Sequence, residues 1–226
     1  MKVRDMLPKS KVTFDQVERK RREYAAILRD FVKLRGRAKY HNLAPELPQL
    51  KLDGCEVIQS RLSLLDRLPK GGVIAELGAQ TGEFSHTIME HCAPSMLHLL
   101  GVDGDQLTHT GVRAELSAHP PRIKPHFGDA QVSLAKFPDN FFDIVYINGD
   151  HDYDAVQRDI AMAAPKVKPS GGLVLHAYTT WSAVSMYHCG VARAVHEFCL
   201  ENPWKFRYLA FETMMYNDVM LVRETP

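Results

Sequence analysis

The sequence predicts an α/β chain. Its sheet has seven strands, five of parallel type and two in a terminal antiparallel hairpin, with helices on both faces and a helical extension in front. Three observations lead there. From Val73 onward, short runs rich in Val, Ile and Leu alternate with segments whose apolar residues recur at helical spacing, the pattern of a parallel sheet wrapped by helices. Five of these runs end in small or polar residues such as Gly78, Asp103, Asp129, Asn148 and His176. The last two, at 205–211 and 215–223, are joined by only three residues, too short for a parallel crossover.

In chain order, Thr13-Phe-Asp-Gln16 reads as a capping box. After it Phe14, Val17, Tyr24, Leu28 and Phe31 line one face of a helix whose other face is basic, ending near Gly36. A proline-bearing linker at 44–52 and a second helix near 57–68 follow, then a turn at 69–72. We take residues 1–55 as an N-terminal helical extension, a lid or a dimer arm, and 56–226 as the main domain. Strands are expected at 73–77, 97–102, 123–127, 142–147 and 172–176. Helices are expected at 106–118, stopped by His119-Pro-Pro121, at 154–164, with Val156, Ile160 and Ala163 on one face, and at 191–200.

Composition bounds the partners. At 226 residues, 45% hydrophobic and 24% charged, the chain is ordinary globular protein with a net charge of +1. The charge is uneven: residues 1–40 hold 13 Lys/Arg against 5 Asp/Glu. Such an arm meets nucleic acid, a membrane surface or an acidic partner, or is simply the solvated face of a helix. Cys55, Cys92, Cys189 and Cys199 are scattered without a Cys-x-x-Cys pair, as in reduced cytoplasmic proteins. The first residues lack an apolar signal core, and no run approaches about 18 apolar residues, so a cytoplasmic protein without a membrane span is expected.

The densest chemistry lies in Val73-Ile-Ala-Glu-Leu-Gly-Ala-Gln-Thr-Gly-Glu-Phe-Ser85, a strand running through a glycine bend into a helix. A helix start presents unpaired N–H groups that favour a carboxylate or other anion. The spacing Glu76-x-Gly78-x-x-x-Gly82 is not the Gly-x-Gly-x-x-Gly of a dinucleotide site, and no Gly-Lys-Ser/Thr follows it. Beyond the other strands stand Asp103, then Asp129 and Ala130, then Asn148-Gly-Asp-His-Asp-Tyr153, then His176-Ala-Tyr178. Ligands of such sheets sit at the carboxyl ends of the strands.

Taken in order, Glu-Leu-Gly-x-x-x-Gly-x-Phe-Ser, Val-Asp, Gly-Asp-Ala, Phe-Asp-Ile-Val-Tyr-Ile-Asn-Gly-Asp-His-x-Tyr and Lys-Pro-x-Gly-Gly-Leu-Val-Leu-His resemble the class I S-adenosylmethionine (SAM) dependent methyltransferases, over about residues 56–223. The nearest likeness is to a bacterial branch with a DGDHxY-type motif, related to small-molecule O-methyltransferases. The resemblance implies a Rossmann-like methyltransferase sheet and SAM as cofactor. Gly78, Ala79 and Gly82 would then contact its methionine portion, Ser85 its carboxylate, Asp103 both ribose hydroxyls and Asp129 the adenine amino group. Ala130 would offer a backbone N–H, and Glu76 and Asn148 would complete the set.

Relatives deprotonate the acceptor with a divalent metal or a general base. Here Asn148 stands where they carry Asp, and His176-Ala177 where they carry a pair of ligands, which removes oxygen donors that Mg²⁺ prefers. Asp150, His151 and His176 are the catalytic candidates, and Asn148, Asp150 and His176 the metal candidates. Three readings stay open: a metal-free general base, a histidine-containing site for a softer ion, and purely structural roles. The expected activity is methyl transfer to an oxygen of a small-molecule acceptor, the alternative being a catalytically reduced SAM-binding module used for assembly or recognition. The acceptor is expected against residues 178–188 with the N-terminal helices as a lid, and a homodimer through the first helix. No Asn-Pro-Pro-Tyr type base-flipping motif points to nucleic acid.

Overall fold

The structure, a computed structural model, describes residues 13–35, 43–80, 82–103, 122–182 and 187–224. The chain divides into two compact units, Met1–His41 and Asn42–Pro226. In the first, helix α1 spans Phe14–Arg35 and buries none of its residues. The capping box forms as expected: Thr13 N donates to Gln16 Oε1 at 2.8 Å, and Gln16 N donates to Thr13 Oγ1 at 3.3 Å.

The second unit is built on one sheet. Its strands are β1 (Glu56–Ile58), β2 (Val73–Gln80), β3 (Met96–Val102), β4 (Ile123–Phe127), β5 (Phe142–Ile147), β6 (Val167–Tyr178), β9 (Trp204–Ala210) and β10 (Asn217–Arg223). Between them lie helices α2 (Arg61–Arg67), α3 (Glu83–Cys92), α4 (Ala130–Leu134), α5 (Tyr153–Ala163) and α6 (Val191–Glu201), and a two-stranded ribbon of β7 (Trp181–Ser182) and β8 (Tyr187–His188). The order across the sheet is β1-β9-β10-β6-β5-β2-β3-β4. Strands β4, β3, β2, β5 and β6 run parallel, and β10 is antiparallel to both β6 and β9.

The fold class holds, with one strand more than expected. Glu56-Val-Ile58, of which the last two residues are expected to begin a helix, instead pairs parallel to β9 at the sheet edge. The helix begins after it, where Ser60 caps α2 by accepting from Ser63 N at 3.2 Å. The helix expected at 106–118 lies outside the described residues.

Strand periodicity decides which side chains reach the site. Ala75 and Leu77 of β2, Val145 and Ile147 of β5 and Leu173 and Leu175 of β6 face α5 and α6, meeting Val156, Ile160 and Val195. The alternate residues Ile74, Ile144, Tyr146 and Val174 face α2 and α3, meeting Leu64, Leu65, Ile88 and Met89. Burying a side chain such as Ile88 or Leu64 contributes about 2 kcal/mol. Glu76, His176 and Asp218 fall in the second register, so this apolar layer gains polar groups toward the carboxyl rim.

Candidate active site

The bend after β2 is fixed by backbone packing. Gly78 has φ +79°, and a Cβ on it would lie 2.4 Å from the Gly149 Cα. The loop ends of β2 and β5 therefore touch through glycine, while Asn148 N still donates to Leu77 O at 2.9 Å. Gly82 N donates to Ala79 O at 2.6 Å and stands at the N-cap of α3 in a left-handed conformation. The cap has no side-chain partner for the helix N–H groups.

Below the bend runs a buried polar seam. Glu76 is fully buried; it accepts from Ser85 Oγ at 2.5 Å and from Asn148 Nδ2 at 3.3 Å. Burial pushes its carboxyl above the usual carboxylate range, opposed by these two bonds and by the nearby Arg61 charge. Arg61, the first residue of α2, donates from Nη2 to Asn148 Oδ1 at 3.2 Å and from Nε to Tyr146 Oη at 2.7 Å. Its Nε is also 3.0 Å from Oδ2 of Asp218, which is completely buried. The Tyr146 hydroxyl donates to the same carboxylate, and burial holds this phenol well above its ordinary pKa. His176 Nδ1 lies 2.8 Å from Asp218 Oδ1. A carboxylate here only accepts, so Nδ1 carries the proton and Nε2 is the basic nitrogen of the neutral ring.

A cavity of about 690 Å³ opens over this seam, lined by Arg61, Phe84, His176, Phe211, Glu212 and Tyr216 among others. The Arg61 guanidinium carbon stands 3.4 Å above the Phe84 ring. The rings of His176 and Tyr216 stack at 6.1 Å, and His151 meets His176 edge-on at 5.7 Å. Burial, reinforced by His176, lowers the pKa of His151. Tyr178, expected at the acceptor, is instead tied to His196 at 2.5 Å within the packing. The cavity lies toward β9 and β10, whereas residues 183–186 of the expected acceptor segment are outside the described ones.

A second hollow, of about 490 Å³, is lined by Gly101, Val102, Asp103, Phe127 and Gly128 at the carboxyl ends of β3 and β4. Among the described residues, chain neighbours aside, no atom lies within 4 Å of where a Gly128 Cβ would stand. Asp103 is exposed at this hollow. Asp129 caps α4, its Oδ1 accepting from Val132 N at 2.8 Å, with Ala130 next along the helix. Asp150 is exposed, its Oδ1 accepting from Asp152 N at 3.0 Å.

The structure thus brings Glu76, Ser85, Asn148 and His176 into one network, with His151 against His176, and sets Asp103, Asp129 and Ala130 along another part of the rim. Sequence reasoning missed Arg61, Tyr146 and Asp218. Asp218 carried a signal, being an acid that opens directly onto the apolar run Val219-Met-Leu-Val222; Arg61 carried none, as one of two arginines in the helix expected near 57–68. The donor set does not fit a divalent metal. Asn148 and Asp218 both face the Arg61 guanidinium, whose charge opposes a cation, and Asp150 is turned to its own loop. Among the described residues no group of three or more His, Cys, Asp or Glu could hold an ion, and no helix is long and apolar enough to cross a membrane.

Residues 75–178 match the family model described as a methyltransferase domain. No curated protein is significantly similar in sequence. Among solved structures, the chain is similar to an S-adenosylmethionine dependent methyltransferase from Mesorhizobium loti, with 15% identity over 72% of this chain and 95% of that one and a TM-score of 0.53. It is also similar to the tRNA methyltransferase TrmK of B. subtilis, with 15% identity over 74% of this chain and 67% of that one and a TM-score of 0.53. A third likeness is to the methyltransferase CalH in complex with SAH, with 14% identity over 73% of this chain and 54% of that one and a TM-score of 0.52. Residues 75–178 therefore match a methyltransferase domain, and the chain has the fold seen in S-adenosylmethionine-dependent methyltransferases.

Proposed function

We propose that the chain transfers a methyl group from SAM to an oxygen of a small-molecule acceptor, without a metal. The observation that carries the cofactor half is Asp103. It closes β3 on a hollow whose walls include two glycines, beside the Gly78–Gly82 bend. A carboxylate there accepts from two ribose hydroxyls, and the missing Cβ of Gly128 leaves room for the nucleoside, whereas a Cβ on Gly101 would meet that of Ala130 at 3.0 Å. Asp129 keeps Oδ2 for the adenine amino group while Oδ1 caps α4, and Ala130 offers its N–H. Gly78, Ala79, Gly82 and the α3 start receive the amino-acid tail. Ser85 acts on that end through Glu76, which it holds together with Asn148.

When bound, SAM supplies a sulfonium-activated methyl group. The protein then has to align the acceptor and remove its hydroxyl proton. His176 does the second: Asp218 fixes its ring by Nδ1, leaving Nε2 to take the proton and stabilising the imidazolium that results. His151 packs against His176 and limits its water contact, and Asp150 shapes the loop that carries His151.

Radiolabelled SAM with a panel of phenols and other small hydroxyl compounds tests this reading, and His176→Gln should lower transfer at least ~100-fold, in the range of a general-base contribution. A second reading, a SAM-binding module without catalysis, is favoured by Asp150 being engaged in its own loop and by Arg61 standing against Asn148. That reading predicts SAM binding with no labelled product from any acceptor.

A further inference from the structure

The two openings on the rim share no lining residue. The Asp103 hollow lies over β3 and β4, and the larger cavity reaches from α3 to the β9–β10 turn, on the other side of the glycine bend. If the first holds the nucleoside, the second is left for the acceptor, and its chemistry describes what that acceptor looks like.

The cavity is apolar at its mouth and presents a guanidinium at its floor. Leu62, Phe211 and Met214 line it and are each about half exposed. Phe84 and Tyr216 form aromatic walls. At the floor, Arg61 uses Nε and Nη2 on Tyr146, Asp218 and Asn148, and among the described residues Nη1 has no protein acceptor. Its side chain is 20% exposed. Asp218 offsets the Arg61 charge but meets it at Nε, which leaves the N–H groups of Nη1 for a ligand. Glu76, the next acid along the seam, is pushed toward its neutral form. Glu212 also lines the cavity, but its carboxylate accepts from Met214 N at 2.7 Å and Thr213 Oγ1 at 2.9 Å, which anchors its charge in the turn.

We propose that this cavity binds a methyl acceptor carrying a carboxylate on an apolar body, with Arg61 Nη1 as the partner of that carboxylate and His176 facing the hydroxyl to be methylated. Arginine suits the task, since its N–H groups match a carboxylate and its charge persists at all working pH values. Arg61 and His176 are held by the two oxygens of one Asp218 side chain, which fixes the spacing between carboxylate and hydroxyl. An aromatic hydroxy acid is the simplest body of this kind. The inference rests on the acceptor assignment above.

Calorimetry on the full chain with SAH present tests it, titrating salicylate, 4-hydroxybenzoate and 4-hydroxycinnamate against their amides. At least one acid should bind ten or more times tighter than its amide. Arg61→Gln should erase that preference and Arg61→Lys keep part of it, with SAH affinity within about twofold of wild type. Equal binding of acids and amides, tighter amides, or no binding by any acid would overturn the proposal, and the wild-type comparison stands even if Arg61→Gln fails to fold. A large loss of SAH affinity in Arg61→Lys would give the guanidinium to the cofactor's own carboxylate and overturn it as well. Failure of SAH to bind wild type, with the acid preference intact, would instead remove the methyltransferase reading alone.

Discussion

Asp218 on β10 holds the His176 imidazole on the neighbouring β6 through Nδ1 at 2.8 Å, from a position with no solvent exposure. The same carboxylate carries Arg61 and Tyr146, so one side chain orients the basic nitrogen and neutralises the nearest cation. Asp218→Asn should therefore do two things. It should lower methyl transfer at least ~10-fold by releasing the ring, and destabilise the fold by about 3 kcal/mol by stranding a part-buried guanidinium. Denaturant titration and labelled-product assays read the two separately, and SAH affinity should stay within about twofold. A variant as stable and as active as wild type would remove the pair from the account.

Two glycines at the rim separate packing from ligand space. Gly78→Ala places a Cβ 2.4 Å from the Gly149 backbone and strains a φ of +79°. The expected cost is ~3 kcal/mol or more, seen as a lowered denaturation midpoint. Among the described residues Gly128→Ala meets no atom within 4 Å, chain neighbours aside, at φ +85°, so its stability cost should be only about 1 kcal/mol. Its main effect should be on the nucleoside, with weaker SAH binding. The opposite ranking of the two stabilities would contradict the packing described.

The edge of the sheet carries a pH dependence. His98 Nδ1 and His126 Nε2 are 3.0 Å apart beside Phe137, Phe141 and Phe142, and burial pushes the His98 pKa down to about 4. A base whose folded pKa is depressed is neutral in the fold and protonated in the unfolded chain between the two values. Its contribution is complete above pH 6.5 and is lost as pH falls from there toward 4, on the order of 2–3 kcal/mol. Urea melts at pH 7.5, 5.5 and 4.5 should show this slope, and His98→Phe should flatten it. An unchanged slope in that variant would place the acid sensitivity elsewhere.

Chelation should leave methyl transfer within about twofold of its untreated rate, because a guanidinium already occupies the face of Asn148 and Asp218 that a cation would need. A rate abolished by EDTA and restored by Mg²⁺ or Mn²⁺ would mean that Arg61 swings away in the working enzyme.

How far the sequence carried these conclusions differs by residue. The α1 start was legible because Thr13 and Gln16 interact locally, and the five parallel strands because apolar runs alternate with helical periodicity. Strand β1 was not, since three residues cannot display a period and their partner, β9, lies about 150 residues on. The rim acids Asp103 and Asp129 were visible as strand-end residues. Ser85 was visible too, but its bond to Glu76 depends on the turn that brings α3 back over β2. Arg61 and Asp218 come from opposite ends of the domain, and only the insertion of β10 beside β6 makes them neighbours.

The most direct test of the central claim is a calorimetric titration of SAH into wild type and Asp103→Ala. The account predicts saturable one-site binding to wild type and affinity at least ~10-fold weaker in the variant, the loss expected on removing charge-assisted bonds to two hydroxyls. Absence of binding to wild type, or equal affinity in the two proteins, would contradict it.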